Sequence, residues 1–182
     1  KYPEFFKKIY QSVRFANIKV LANTYINILF LITIALTILS FPIFIIFFAF
    51  TGGNFIFVLL KTLFGSLFIG TVTFILGTYY PNMRAKTRRT SINTNLPFAI
   101  DHMSSVISSG VSPAVMFKLI SNSREYGEIS IEIEKVTNYI DFFGYDILTA
   151  LKAVALITPS QQFKEFMDGF VSTIETGGDL KQ

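Results

Sequence analysis

The chain offers few side chains able to do chemistry, and their spacing limits what each could do. His102, the single histidine, stands beside Asp101 and close to Ser104 and Ser105. These are the residue types of a proton-relay triad, but none sits in the strand–turn–helix context that exposes a nucleophile. One imidazole without a cysteine cannot complete a tetrahedral zinc site unless several carboxylates converge on it. A surface or helix-packing role is expected for His102. The acidic run Glu125, Glu128, Glu132 and Glu134 has the composition of a hard-metal or acid–base cluster. Its i, i+3 and i+4 spacing, with Arg124 and Lys135 interleaved, describes instead the solvated face of a helix. No G-x-x-x-x-G-K-[ST] phosphate-binding loop occurs: Gly52-Gly53 is expected to face the outside, and Gly177-Gly178 lacks the lysine that would reach phosphates. With no cysteine, disulfides, thiolate metal sites and thiol catalysis are excluded. No catalytic, metal or cofactor residue is expected, and the chain reads as a coupling or scaffold protein rather than an enzyme.

The elements that would position these residues begin with two apolar runs, 25–50 and 54–80, joined by Thr51-Gly52-Gly53. As helices each reaches roughly 40 Å, more than the hydrocarbon core of about 30 Å. The three-residue link forces the two spans to run antiparallel, as a transmembrane hairpin. Hydrophobic residues make up 51% of the chain and mean hydropathy is +0.51, which fits a membrane protein. Lys1, Lys7, Lys8, Arg14 and Lys19 precede the hairpin, and Arg84, Lys86, Arg88 and Arg89 follow it. The positive-inside rule places both ends in the cytoplasm. A cleaved signal peptide does not fit a hairpin that starts after two dozen mixed residues and spans twice. Pro42 is expected to kink the first span near Ile38, with Ser40 satisfying a freed backbone group. Gly65, Ser66, Gly70 and Gly77 allow another helix to approach the second span. Lys61 lies roughly 10 Å inside the outer end of that span. It is expected to snorkel to the headgroups; the competing reading is intramembrane pairing with an acidic group.

Residues 1–90 carry a net charge of +9 and residues 91–182 a net charge of −5. The basic half lies where anionic headgroups are and the exposed half is acidic, which argues for lipid and against nucleic acid. Segment 1–24 has apolar Phe5, Phe6, Ile9, Val13 and Val20 with basic residues between them. Two readings stay open for it, an amphipathic helix on the inner leaflet and an extension of the first span. Segment 81–94 reads as a basic juxtamembrane linker, with Arg84, Lys86, Arg88 and Arg89 available to lipid or a partner.

From 95 to 182 the pattern becomes amphipathic. Asn95 caps a first helix with Pro97 in its opening turn and Gly110 at its end. Ser112 and Pro113 open a second. A third runs from Glu128 to Gly144 and a fourth starts at Asp146. Thr158-Pro159-Ser160-Gln161 reads as a capping box for a fifth that stops at Gly177-Gly178, and Asp179 could cap a sixth. Segments this short must pack on one another, so a small helical bundle is expected.

The order of these signals resembles the cytoplasmic F domain of type II secretion, type IV pilus and archaellum platform proteins. The resemblance rests on Leu96-Pro97, on Ser109-Gly110-Val111-Ser112-Pro113, on Thr158-Pro159-Ser160 and on Thr176-Gly177-Gly178-Asp179-Leu180. A hairpin ahead of the domain looks more like the archaeal and tight-adherence branches. Such proteins continue through a sixth helix into further spans, so the domain is expected to be cut short at Gln182. The resemblance implies a non-enzymatic platform in the cytoplasmic membrane, forming homo-oligomers and passing the motion of a hexameric secretion ATPase to pilin-like subunits. Either the acidic bundle or the basic segment could meet the ATPase. The alternative is a subunit of a membrane transporter or channel, which would need a polar path through the spans.

Overall fold

The computed structural model describes residues 4–50 and 54–179, and every regular element among them is helical. The order is α1 (Glu4–Phe15), α2 (Ala22–Phe50), α3 (Phe55–Ser108), α4 (Pro113–Asn122), a 3-10 turn (Arg124–Tyr126), α5 (Glu128–Asp141), α6 (Ile147–Ala155) and α7 (Gln161–Asp179). The chain forms two compact units, Lys1–Arg84 and Ala85–Gln182, whose boundary falls inside α3. The link 51–53 lies outside the described residues.

In the first unit α2 and α3 run antiparallel. Leu29 lies against Gly77, Thr37 against Gly70 and Phe44 against Gly65, so numbers rise on one helix as they fall on the other. Phe30 and Phe74 follow the same register with ring centroids 5.6 Å apart. The Tyr25 hydroxyl donates to the Gly77 carbonyl at 2.7 Å. A Cβ on Gly70 would overlap Thr37 Oγ1, and one on Gly77 would overlap Leu29 Cδ1. The glycines are thus held by close helix approach. Only 11% and 17% of the most apolar windows of α2 and α3 are buried within the chain. A soluble core helix would bury most of its apolar surface; here that surface faces outward, as lipid requires.

The span hydroxyls turn back on their own helices: Thr33 donates to Leu29, Thr37 to Thr33, Thr62 to Leu59 and Ser66 to Leu63, at 2.8–3.0 Å. Ser40 donates to the Thr37 carbonyl at 2.9 Å rather than to Ile38, the carbonyl that Pro42 leaves without a donor. α1 is a separate helix: the chain breaks after Phe15, with Asn17 at φ +53°, a conformation asparagine tolerates. Ile9 and Val13 of α1 pack on Ile26 of α2, and the Tyr10 hydroxyl bonds to Asn23.

The second unit has one apolar core. Ile92, Leu96, Ala99 and Met103 of α3 meet Phe117 and Ile120 of α4, Ile129 and Ile133 of α5, Leu151 and Val154 of α6, and Phe163 and Met167 of α7. Three expected boundaries differ. Segment 81–94 is helical and no helix begins at Asn95, because α3 runs unbroken past both. Ala85, Arg88, Ile92, Leu96, Ala99 and Met103 form one buried stripe, and Pro97 stands on the exposed side. Packing of that stripe outweighs proline's poor helix propensity. The cap of α7 is Ser160, not Thr158: the Phe163 N–H donates to Ser160 Oγ at 3.1 Å, and Ser160 Oγ donates to Asn93 Oδ1 at 2.5 Å. Gly177 and Gly178 do not stop α7, which extends to Asp179. The sixth helix expected beyond Asp179 lies outside the described residues.

Candidate functional site

The most distinctive side-chain constellation is a charge cluster between α3 and α5. Glu128, Glu132 and Lys135 follow one another by four and three residues on one face of α5, beside the core stripe Ile129, Ile133 and Val136. Arg88 comes from the buried stripe of α3. Its Nε donates to Glu128 Oε2 at 2.7 Å and a terminal guanidinium nitrogen to Glu132 Oε1 at 2.7 Å. Lys135 Nζ adds a bond to Glu132 Oε1 at 2.8 Å. Arg88 is 1% exposed and Glu132 is fully buried. The four charges cancel, which makes burial tolerable. Glu132 Oε2 is buried and finds no partner among the described residues.

This overturns two expectations. Arg88 is not available to lipid or a partner, because the helix that continues through 81–94 turns it inward. Glu132 does not lie on a solvated face. Had the α3 periodicity been followed back from Ile92, Arg88 would have fallen on the core stripe, four residues earlier. Only the packed fold could reveal that α5 supplies the matching carboxylates. A buried pair of this kind is roughly neutral against an apolar replacement, but loses several kcal/mol when one member is removed.

Gly127 opens α5 at φ +54° and ψ −118°, a backbone region closed to other residues, and a Cβ there would come within 3.4 Å of Ser91 Oγ. Ser130 Oγ donates to the Ser123 carbonyl, closing the α4–α5 connection. At the start of α6 the Asp146 carboxylate accepts the Thr149 N–H at 3.0 Å and the Thr149 hydroxyl at 2.6 Å. These bonds hold its carboxyl below the usual range. Lys152 of α6 donates to Glu175 of α7 at 2.7 Å, and that bond holds its ammonium above the ordinary lysine range.

The remaining sequence candidates are dispersed. Arg84, Lys86 and Arg89 are exposed. Lys61 is exposed and places Nζ 6.0 Å from the centroid of the Phe48 ring, a cation–π distance. His102 is exposed and bonds through Nδ1 to the Tyr126 hydroxyl at 2.6 Å, while Ser105 donates to the Asp101 carbonyl. Among the described residues no three His, Asp or Glu side chains converge as a metal site. Gly110 takes φ +84° in the turn after α3, and Ser112 is the N-cap position of α4 without a side-chain capping bond. Pro113 opens α4, Thr158 accepts from the Ser160 N–H at 3.4 Å, and Pro159 follows it. Gly177, Gly178 and Asp179 form the last turn of α7. Most of these motif residues shape turns and helix ends. An aromatic corner missed in the sequence closes α5: Gly144 at φ +66° turns the chain, leaving Phe142, Phe143 and Tyr145 exposed, with Tyr139 stacked on Tyr145.

Residues 99–182 match the family described as Type II secretion system (T2SS), protein F. An uncharacterised protein of Methanocaldococcus jannaschii is 30% identical over 110 residues, covering 60% of this chain and 18% of its own length. A second from that organism is 25% identical over 100 residues, 55% of this chain and 30% of its own. Its flagella accessory protein J is 27% identical over 104 residues, 57% of this chain and 18% of its own. The chain thus spans less than a third of each of these relatives. No solved structure matches.

Proposed function

From the match of residues 99–182 to the Type II secretion system protein F family, we propose that the chain is a cytoplasmic-membrane platform component of a type IV pilus, archaellum or type II secretion machine. In this role it is non-catalytic. The helical domain receives motion from a hexameric secretion ATPase in the cytoplasm, and the membrane unit passes it to pilin-like subunits at the base of a filament. Both flanks of the hairpin lie on the cytoplasmic side, consistent with Lys8, Arg14, Lys19 and Arg84 at its charged end. The similarity to flagella accessory protein J favours the archaellum-like branch.

The observation that carries this reading is the pairing of a protein F domain with an outward-apolar hairpin in one chain. The Arg88–Glu132 cluster supports it physically. A domain that transmits force needs helices that keep their rotation under load, and a buried ion cluster resists slippage because any shift strands a charge. Thr33, Thr37, Thr62 and Ser66 give their hydroxyl protons to their own helices, which does not favour the transporter alternative.

The test is crosslinking in intact membranes between the full protein and a secretion ATPase of the same organism. The expected result is a crosslink that maps to residues 85–182. Absence of any contact, in solubilised and in membrane-embedded samples alike, overturns the reading.

A further inference from the structure

A cavity of about 390 Å³ opens between α1 and α3 in the membrane unit. That volume lies within the range of about 300–1,000 Å³ typical of small-molecule sites. Its polar wall consists of Lys8, Gln11 and Ser12 from α1 and Thr78, Tyr79 and Asn82 from α3. Ile9 and Phe15 supply its apolar part. Among the described residues no carboxylate lines it. The Thr78 hydroxyl proton is already given to the Ile75 carbonyl at 2.8 Å, so the other polar side chains are the donors a ligand would meet. One ammonium with a hydroxyl and amide set is the chemistry of a phosphate site.

The depth of the cavity narrows the source of that phosphate. Tyr79 and Tyr80 are 61% and 58% exposed at the end of the apolar run, and the charges of α3 resume at Arg84. Exposed tyrosines at such a boundary mark the level of the headgroups. Burial of Ile9 and Val13 against Ile26 fixes α1 there, so one wall of the cavity is formed in advance.

We propose that this cavity holds the phosphodiester headgroup of an anionic lipid, with Lys8 supplying the charge and Ser12, Gln11 and Asn82 the hydrogen bonds. The lipid then clamps α1 to α3 at the membrane surface. This rests on the membrane reading of the hairpin and is independent of the filament or secretion machine served.

The full protein, purified in detergent, is given phosphatidylglycerol, phosphatidylcholine or inorganic phosphate, with lipid retention read by native mass spectrometry and stability by melting temperature. Phosphatidylglycerol is expected to be retained and to raise the melting temperature, and the other two are not. Lys8→Gln and Asn82→Ala should each weaken retention about tenfold, the loss expected for one charge-assisted hydrogen bond. Arg14→Gln, which removes the same charge from the exposed last turn of α1 outside the cavity, should change it less than about twofold. Equal losses for Lys8→Gln and Arg14→Gln would reduce the effect to surface charge and overturn the site. Equal retention of phosphatidylcholine, or equal stabilisation by inorganic phosphate, overturns the anionic-lipid assignment. Lys8 and Asn82 are exposed on different helices, so should one variant lose helicity by circular dichroism the other decides. Carbonate extraction separates the premises: a chain that washes off membranes fails the membrane reading, and one that stays embedded without retaining phosphatidylglycerol fails only this site.

Discussion

Phe64 in α3 of the membrane unit and Phe142 at the end of α5 are 70% and 80% exposed, yet their exposure has opposite meanings. Around Phe64 stand Leu60, Leu63, Leu67 and Phe68, all outward, and the inner face of the helix is reserved for Gly65, Ser66 and Gly70. Around Phe142 the helix is amphipathic, with Ile129, Ile133 and Val136 inside and Glu134 and Asp141 outside. The membrane unit places small residues between helices and large ones on its surface; the helical domain does the reverse. Lipid removes the hydrophobic drive for helices to associate, so close backbone approach must replace it. Water restores that drive, so the domain has an apolar core that includes Ile92, Phe117, Ile133 and Phe163, and its buried charge cluster is neutral as a whole.

The largest expected effect breaks the domain. Glu132→Ala leaves Arg88 and Lys135 short of a buried partner and should cost about 3–5 kcal/mol of unfolding free energy in guanidinium titration. Lys118→Ala, which removes an exposed pair with Asp141, should cost less than about 1 kcal/mol by the same measurement. Next, Phe64→Asp should impair membrane insertion by about 2.5–3.5 kcal/mol in a translocon assay, the cost of a carboxylate in mid-bilayer. Phe142→Asp, as exposed, should leave folding within about 0.5 kcal/mol. Equal effects at the two phenylalanines would remove the distinction between the units.

Gly70→Val should lower the melting temperature of the detergent-solubilised chain, with a cost of about 1–3 kcal/mol as the new Cβ overlaps Thr37. The smallest effect concerns pH. The Asp146 carboxyl is held low in the folded state by Thr149, so its contribution is present above the unfolded carboxylate pKa and is lost as pH falls through the folded value. Asp146→Ala should therefore destabilise at neutral pH and flatten the acid limb of the stability profile, with little difference from wild type at the acid end. An unchanged profile would show that the Thr149 bonds carry no weight in solution.

Much of this was legible one residue at a time. Local rules placed the two spans, the separate α4, the start of α6 at Asp146, and the breaks at Gly110 and Gly144, because each depends on neighbours within a turn or two. The rules failed where distant residues decide. Asn95-Pro97 has the chemistry of a helix start, but the buried stripe from Ala85 to Met103 carries α3 through it. Thr158 has the chemistry of a cap, but Ser160 takes that position because Asn93 accepts its hydroxyl 67 residues away.

The sequence alone determined that two segments prefer lipid, that charge divides the chain into a basic and an acidic half, and that short amphipathic helices must form a bundle. These follow from composition and period. Only the tertiary structure decided that Arg88 and Glu132 face each other in the interior, and that Gly65, Gly70 and Gly77 pair with Phe44, Thr37 and Leu29. The same fold formed a cavity between Lys8 and Asn82. The reason is common to all three: the partner of a side chain across a helix interface depends on helix rotation, which the packing of every other residue on that face sets together.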